Sequence, residues 1–86
     1  MKYGFAAFGK MREGLTRENM IERMEEARKV AEKYEIKLHM YGFPFGTSEN
    51  FYAMYSSDKG LDNYINFVVE AELPYTDTRT HQIRIL

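Results

Sequence analysis

The sequence predicts one α+β domain spanning residues 1–86, and three observations lead to this class. The length of 86 residues lies in the single-domain range and leaves no room for separate catalytic and regulatory modules. Hydrophobic residues make up 44% of the chain and include seven Tyr and six Phe, which is enough for a core and excludes a disordered chain. Two segments with helical periodicity alternate with four short segments typical of strands.

The first strand and the first helix are predicted in the N-terminal part of the chain. Residues 3–8 are rich in aromatics and are followed by Gly9, which predicts a buried strand ending in a loop. Thr16 can cap the helix that follows. The apolar residues of that helix recur at spacings of three and four: Met20, Met24, Ala27, Ala31 and Tyr34. Residues 17–37 carry six positive and six negative charges, which predict a solvent-facing surface.

The middle of the chain predicts a β-hairpin. Residues 37–45 alternate in polarity and indicate a second strand, which Pro44 and Gly46 end. We expect one face of this strand to carry Leu38, Met40 and Gly42, and the other His39, Tyr41 and Phe43. Residues 46–50 have a turn composition, and residues 51–55 indicate a third strand that pairs with the second.

The last third of the chain predicts a second helix and a fourth strand. Ser57 or Asp58 can cap this helix, and Pro74 ends it. Its apolar residues follow the 3.6-residue period: Leu61, Tyr64, Ile65, Val68 and Val69. Residues 78–86 alternate as a strand. The resulting order, β-α-β-β-α-β, is that of ferredoxin-like domains, in which a four-stranded antiparallel sheet carries both helices on one face.

This arrangement leaves the second face of the sheet uncovered. We expect that face to carry some of Tyr3, Phe5, His39, Tyr41, Phe51 and Tyr55. Such an aromatic surface is too large to stay open to water on a monomer. We therefore predict a homodimer, in which two sheets close into a barrel with the helices outside. An RNA-stacking surface is the alternative.

Three segments of the chain carry a family resemblance. They are Glu26-Ala27-Arg28-Lys29-Val30-Ala31-Glu32-Lys33-Tyr34, then Tyr41-Gly42-Phe43-Pro44-Phe45-Gly46 leading into Phe51-Tyr52-Ala53-Met54-Tyr55, and Thr78-Arg79-Thr80. Together they resemble small GYD-type proteins of the dimeric α+β barrel superfamily. The chain departs from the motif that names the GYD group, because Thr47-Ser48 follows Gly46 where that group has Tyr-Asp. The superfamily includes cofactor-free monooxygenases, haem-degrading enzymes, cyclases and lactone isomerases, so the resemblance implies a dimer but no single reaction.

His39 and Tyr41 are the predicted catalytic residues. His39 and His81 are the side chains expected to titrate near neutral pH. Strand alternation predicts His39 beside Tyr41 on the barrel side and His81 with Ile83 on the helix side, so that the histidines face opposite ways. We expect His39 to act as a general base beside the Tyr41 phenol. The alternative for each histidine is a hydrogen-bonded structural role.

Four further residues are predicted to bind a substrate. Tyr55, Tyr3 and Phe5 are expected to line a pocket for a flat apolar ligand. Arg84 is expected on the barrel side with His39, where its guanidinium can anchor a carboxylate or an enolate oxygen. The alternative for the aromatic residues is packing in the core or the dimer interface, and for Arg84 a salt bridge across that interface.

Charge and composition exclude several classes of function. Twelve Lys and Arg against thirteen Asp and Glu give a net charge of −1, which argues against a nucleic-acid partner. The chain has no Cys, no Gly-rich phosphate loop and no zinc or calcium motif, so we predict no cofactor and no metal. No segment approaches the roughly 20 apolar residues of a membrane span. Residues 1–8 are too short an apolar run for a signal peptide, so we expect a cytoplasmic protein.

The sequence thus leads to three functional hypotheses. The first is a small dimeric barrel protein that binds an apolar or aromatic molecule, with His39 and Tyr41 transferring protons in a monooxygenase-, isomerase- or cyclase-like reaction. The second is a non-catalytic structural or ligand-binding dimer. The third is an RNA-binding module, which is disfavoured because Glu49-Asn50 precedes residues 51–55 where such modules have a basic residue and Gly.

Overall fold

The computed structural model describes residues 1–86 and confirms the predicted element order. The elements are β1 (Lys2–Met11), α1 (Arg17–Lys33), β2 (Ile36–Gly42), β3 (Phe51–Ser57), α2 (Leu61–Glu70) and β4 (Tyr75–Ile85). The strands form one antiparallel sheet in the order β2-β3-β1-β4. Both helices contribute to a single core on one face of this sheet, which is the ferredoxin-like arrangement. Neither helix is long and apolar enough to cross a membrane.

Helix α1 follows its sequence signals closely. Thr16 is the N-cap, and its hydroxyl oxygen accepts a hydrogen bond from the backbone N–H of Asn19 at 3.1 Å. Glu18 places a negative charge in the first turn, beside the positive end of the helix dipole. The buried residues of α1 are those whose spacing predicted the helix: Met20, Met24, Ala27 and Ala31.

Helix α2 begins later than predicted. Its N-cap is Gly60, so the prediction of a Ser57 or Asp58 cap is wrong. Ser57 remains in β3, where its hydroxyl donates to the Glu35 carbonyl at 2.9 Å and accepts from the Lys59 N–H at 3.0 Å. These two bonds occupy the side chain that the sequence offered as a cap.

The buried surface of α2 is also narrower than predicted. Tyr64 and Phe67 are its buried residues. Leu61, Ile65 and Val69 remain exposed, although their spacing suggested a wide apolar face. The ten-residue helix therefore contacts the sheet along an i, i+3 stripe, on which two aromatic rings fill the available space.

The strand aromatics Phe5, Phe51 and Tyr55 face the helices rather than the uncovered side of the sheet. The Phe5 ring stacks on Tyr64 with centroids 4.4 Å apart, and Phe51 stacks on Tyr75 at 4.5 Å. Tyr55 is fully buried among the same rings. The expectation that these aromatics cover the second face is therefore wrong. Helix α1 buries two small alanines, so large strand side chains are needed to fill the layer between helix and sheet.

A β-bulge at His39 reverses the facing predicted for β2. Leu38 pairs with Tyr55 while Met40 pairs with Met54, so His39 is the extra residue between them. The bulge places Met40 on the uncovered face and brings Tyr41 onto the helix side, packed against the core. The predicted sharing of one face by Leu38 and Met40, and of the other by His39 and Tyr41, is wrong for this reason.

The side chains of strand β4 also face the opposite sides of the sheet from those predicted. His81 pairs with Ala6 and contacts the Phe8 ring on the uncovered face. Ile83 lies on the same face, next to Gly4. The two histidines therefore share one face, at opposite edges of the sheet. The expected separation of His39 and His81 onto different faces is wrong, because alternation gives the period of a strand but not its phase.

We call the side of the sheet that faces away from the helices the open face. Its residues are Lys37, His39, Met40, Tyr52, Met54, Ser56, Lys2, Gly4, Ala6, Phe8, Arg79, His81, Ile83 and Ile85. Their exposed fractions include 58% for Met40 and 49% for Ile83, so the open face carries substantial uncovered apolar surface.

The close approach of β1 to β4 gives a test of the fold. A Cβ atom added at Gly9 would lie 2.6 Å from both the Thr76 carbonyl oxygen and the Tyr75 ring. We expect Gly9→Ala to lower the free energy of unfolding by about 1–3 kcal/mol, because backbone must move to relieve the clash. Gly42→Ala is the matched control, since no heavy atom lies within 4 Å of its added Cβ. Urea denaturation of both variants measures the difference, and equal stabilities would contradict this packing.

Candidate functional site

An apolar cleft lies on the helix side of the sheet, between the first turns of α1 and the end of β2. Its volume is about 180 Å³. Side chains from both elements and from β3 line it: Arg17, Met20, Ile21, Tyr41, Phe43 and Phe51, with the backbone of Gly42 between the two aromatic residues of β2 and its loop. Pockets for drug-sized ligands have volumes of roughly 300 Å³ or more, so this cleft suits a smaller molecule of one or two rings.

Local structure explains how the sequence builds this cleft. Arg17, Met20 and Ile21 share one side of the first turns of α1, because residues three and four apart lie on the same helix face. The bulge at His39 turns Tyr41 toward α1. There the Tyr41 ring stacks loosely on Phe51, with centroids 6.4 Å apart.

A polar cluster lies behind the Tyr41 wall of the cleft. The Tyr41 hydroxyl donates to the Glu25 carboxylate at 2.7 Å, and Arg28 pairs with the same carboxylate at 3.1 Å. Arg28 also donates to the carbonyl oxygen of Leu38, which ties α1 to the strand beside the bulge. The cluster therefore holds the phenol of Tyr41 in a fixed orientation at the cleft wall.

The cluster fixes the protonation states of its members. The hydrogen bond from Tyr41, followed by the bond from Arg28, lowers the pKa of Glu25 below its usual value. Burial raises the pKa of the Tyr41 phenol, and the bond to Glu25 raises it further. At neutral pH, Glu25 is therefore ionised and Tyr41 protonated. The phenol oxygen can still accept a hydrogen bond from a molecule in the cleft.

His39 is not part of the cleft. Its side chain lies on the open face, where Nε2 and the Ser56 hydroxyl are 2.5 Å apart. Partial burial lowers the pKa of His39, and the nearby charges of Lys37 and Lys2 lower it further, so the imidazole is neutral at pH 7. The structure therefore does not bring together the predicted pair of His39 and Tyr41, which lie on opposite faces of the sheet.

The predicted substrate-binding residues also lie away from the cleft. Tyr55 is buried and its hydroxyl is hydrogen-bonded to that of Tyr75 at 2.7 Å, while Phe5 is buried under Tyr64. Tyr3 is half-buried against the core. Arg84 pairs with Tyr3 on the helix side, so its predicted place beside His39 is wrong.

Sequence reasoning missed most of the cleft. Tyr41 was a predicted site residue, but Arg17, Met20, Ile21, Phe43 and Phe51 were not assigned to any pocket. The spacing of Arg17, Met20 and Ile21 could have shown that they share a helix face. No signal in the sequence predicts the β-bulge that brings Tyr41 opposite to these three residues of α1.

Clusters able to hold a metal ion are absent from the structure. No group of three or more His, Asp or Glu side chains is arranged as a set of metal ligands. His39 and His81 stand at opposite edges of the open face, with β3 and β1 between their strands.

Comparison with solved structures identifies the fold. A mutant chlorite dismutase from Candidatus Nitrospira defluvii superposes with a TM-score of 0.64 at 15% identity, covering 94% of this chain and 38% of the dismutase chain. The structural-genomics protein YJCS superposes with a TM-score of 0.63 at 7% identity, covering the whole of both chains. The fold is ferredoxin-like. This confirms the predicted fold class, and at these identities the likeness concerns the fold alone.

Comparisons with protein families and with curated proteins assign no family to the chain. No protein-family model and no curated protein matches the chain. The chain spans about two fifths of the dismutase chain and the full length of YJCS. The residues of this chain, rather than a relative, therefore indicate its function.

The Tyr41–Glu25 hydrogen bond predicts a specific pH dependence of stability. The folded pKa of Glu25 is lowered, so the stabilisation is present above the unfolded value of about 4.3 and is lost as the pH falls through the folded pKa. We expect Tyr41→Phe to lower the free energy of unfolding by about 0.5–1 kcal/mol near neutral pH, after allowance for solvent screening. The difference from wild type should shrink as the pH falls through the folded pKa of Glu25.

Denaturant titrations at several pH values measure this difference. Tyr3→Phe is the matched control, because the Tyr3 hydroxyl is not bonded to a carboxylate. The two tyrosine–carboxylate bonds of the chain join Tyr41 to Glu25 and Tyr34 to Glu70. A Tyr41→Phe difference that stays constant from pH 7 to pH 2 would show that the ring environment, rather than the carboxylate, accounts for the loss.

Proposed function

We propose that this chain binds a small, flat apolar molecule in the cleft beside Tyr41 and works as a homodimer formed through its open face. The cleft carries the first part of this proposal. It combines an apolar lining with two polar side chains, Arg17 and Tyr41, and such a composition is usual for a small-molecule site. Ligand binding is thus the functional class that the geometry supports best.

Aromatic and thioether side chains of the lining favour a flat ligand. Phe51 and Met20 form a buried floor, and Phe43 stands at the rim with 57% of its surface exposed. Rings stack on aromatic faces and contact sulfur favourably, so a one- or two-ring compound matches these walls. A bound ring would cover part of this exposed Phe43 surface.

Any proton transfer in this site falls to Tyr41. Its phenol is the hydroxyl at the cleft wall, and Glu25 behind it accepts the phenolic hydrogen and so turns the free lone pair of the oxygen toward a ligand. His39, on the open face, is hydrogen-bonded to Ser56 and has no path to the cleft within one subunit. We therefore propose Tyr41, oriented by Glu25, as the polar group that contacts the ligand, while His39 lies outside this site.

The open face supports the second part of the proposal. Its centre is apolar, with Met54 between Met40 and Ala6, and the Phe8 and Tyr52 rings 4.9 Å apart in a neighbouring row. Arg79 stacks over Phe8, and its charge is paired with Glu49 at 3.2 Å. A second copy of the same face would bury this surface in a symmetric contact. The positive charges of Lys2 and Lys37 lie at one end of the open face, away from its apolar centre.

Ligand binding is tested by methionine-methyl NMR with 2-naphthoate and its neutral analogue 2-naphthamide as probes. The chain has six Met, of which Met20 lines the cleft and Met54 lies on the open face. We expect a saturable shift of the Met20 methyl signal without a shift of the Met54 signal. No shift at Met20 with either probe, up to millimolar concentrations, would refute the proposed binding.

A matched pair of variants localises the bound probe. Phe43→Ala removes a ring of the cleft wall, whereas Phe45→Ala removes a fully exposed ring two residues further along the same loop. We expect Phe43→Ala to weaken binding about tenfold, corresponding to loss of one ring contact of about 1.4 kcal/mol. Phe45→Ala should leave the dissociation constant unchanged. Equal effects of both variants would place the probe outside the cleft.

The homodimer is tested by native mass spectrometry and sedimentation at micromolar concentration. Ile83 and Ile65 have almost equal exposed fractions, 49% and 47%, but lie on the open face and on α2 respectively. We expect Ile83→Glu to weaken dimerisation about a hundredfold or more, because each dimer would bury two unpaired carboxylates. Ile65→Glu should remain dimeric.

Other outcomes of this experiment have definite meanings. A monomeric wild-type protein would refute the dimer and return the open face to the RNA-stacking alternative. Dissociation by Ile65→Glu, with Ile83→Glu still dimeric, would move the interface to α2.

A further inference from the structure

We infer that the cleft selects anionic aromatic molecules, with Arg17 pairing with a carboxylate carried by the ligand. This inference rests on the proposed ligand binding and narrows it to a chemical class. The lining of the cleft contains a single charged side chain, the guanidinium of Arg17. All other lining groups are apolar, aromatic or backbone, so the charge of the site comes from one cation at one end.

Arg17 is available to a ligand. It takes part in none of the four ion pairs of the structure, which join Arg28 to Glu25, Lys33 to Glu70, Lys59 to Glu35 and Arg79 to Glu49. As the first residue of α1 it stands at the cleft mouth, one turn before Met20. An apolar body seated on Met20 would bring a terminal carboxylate within reach of the guanidinium.

The nearby carboxylate does not cancel this preference. Glu25 lies two helical turns beyond Arg17 and is already bonded to Tyr41 and Arg28. Its charge is balanced by the Arg28 guanidinium, so the cluster behind Tyr41 is close to neutral overall. A cationic ligand would meet Arg17 at the mouth and find no unpaired anion inside. A neutral ligand would leave the charge of Arg17 without a counter-charge.

The geometry of the guanidinium favours a carboxylate in particular. Its planar fork can donate two parallel hydrogen bonds to the two oxygens of one carboxylate. The hydrogen-bond acceptor left free on the Tyr41 phenol suits a hydroxyl or amino donor elsewhere on the same ring system. The ligand class is therefore a one- or two-ring aromatic carboxylate, and a ring hydroxyl would add to its affinity.

The test compares 2-naphthoate with its neutral isostere 2-naphthamide, using the Met20 methyl signal and calorimetry on the full chain. We expect the wild type to bind the carboxylate about fivefold more tightly, in the range of a partly exposed ion pair. The preference should shrink as sodium chloride rises from about 20 to 500 mM, because salt screens exposed pairs.

Arg17→Gln and Arg23→Gln form the matched pair of variants. Both arginines are exposed on α1, but Arg23 does not line the cleft. We expect Arg17→Gln to abolish the preference by weakening 2-naphthoate binding more than 2-naphthamide binding. Arg23→Gln should behave as wild type.

The failures of the two proposals are distinguishable. Equal affinity of the wild type for both probes, or a preference that survives Arg17→Gln, would overturn the role of Arg17 while leaving the cleft as a binding site. Absence of binding by both probes would overturn the proposed function and this inference together.

Discussion

The β-bulge at His39 is the constraint on which the remaining architecture of the cleft depends. A regular β2 would continue the alternation that begins with Ile36 and Leu38 in the core, so residue 41 would face away from the helices. The extra residue between Leu38 and Met40 changes the phase of the strand and delivers Tyr41 to α1. The hydrogen bond of Tyr41 to Glu25 then fastens the end of the strand to the helix.

The bulge is itself held from both sides of the sheet. On the helix side, Arg28 donates to the carbonyl of Leu38, the residue just before the extra one. On the open face, the imidazole of His39 is hydrogen-bonded to Ser56 of the neighbouring strand. The catalytic role of His39 stays a prediction, and in the structure its imidazole is hydrogen-bonded to Ser56 beside the bulge. Its neutral state, favoured by burial and by Lys37 and Lys2, suits that hydrogen bond.

The elements of this fold were predictable from sequence, whereas the facing of its strands was not. Helix α1 is predictable from the capping residue Thr16 and from the spacing of Met20, Met24 and the alanines. Helix capping and helical periodicity are local properties of the sequence. The phase of a strand depends instead on what packs against it. Phe5 and Tyr55 turn toward the helices because the small residues of α1 leave a deep layer to fill, and this requires knowledge of both partners at once.

The same limit explains which part of the candidate site was found. Tyr41 stood out because a phenol on a strand can serve in binding or proton transfer, but its partners Glu25 and Arg28 are interpretable in sequence only as surface charges of α1. In the sequence, Arg17 is likewise interpretable only as a surface charge of α1. Its place in the cleft becomes visible in the structure, where Tyr41 and Phe43 lie opposite to it. The place of these residues in the site depends on contacts with residues distant in the sequence, which residue type alone does not predict.

The two proposed surfaces lie on opposite sides of one sheet and meet at β2. The cleft uses Tyr41 on the helix side, and the open face uses Met40, the adjacent residue, on the other side. Because adjacent strand residues project to opposite faces, a dimer that immobilised Met40 would also reduce the freedom of the backbone that carries Tyr41. Dimerisation would then lower the entropic cost of ordering the cleft around a ligand. By reciprocity of linked equilibria, a bound aromatic molecule would strengthen the dimer by the same factor.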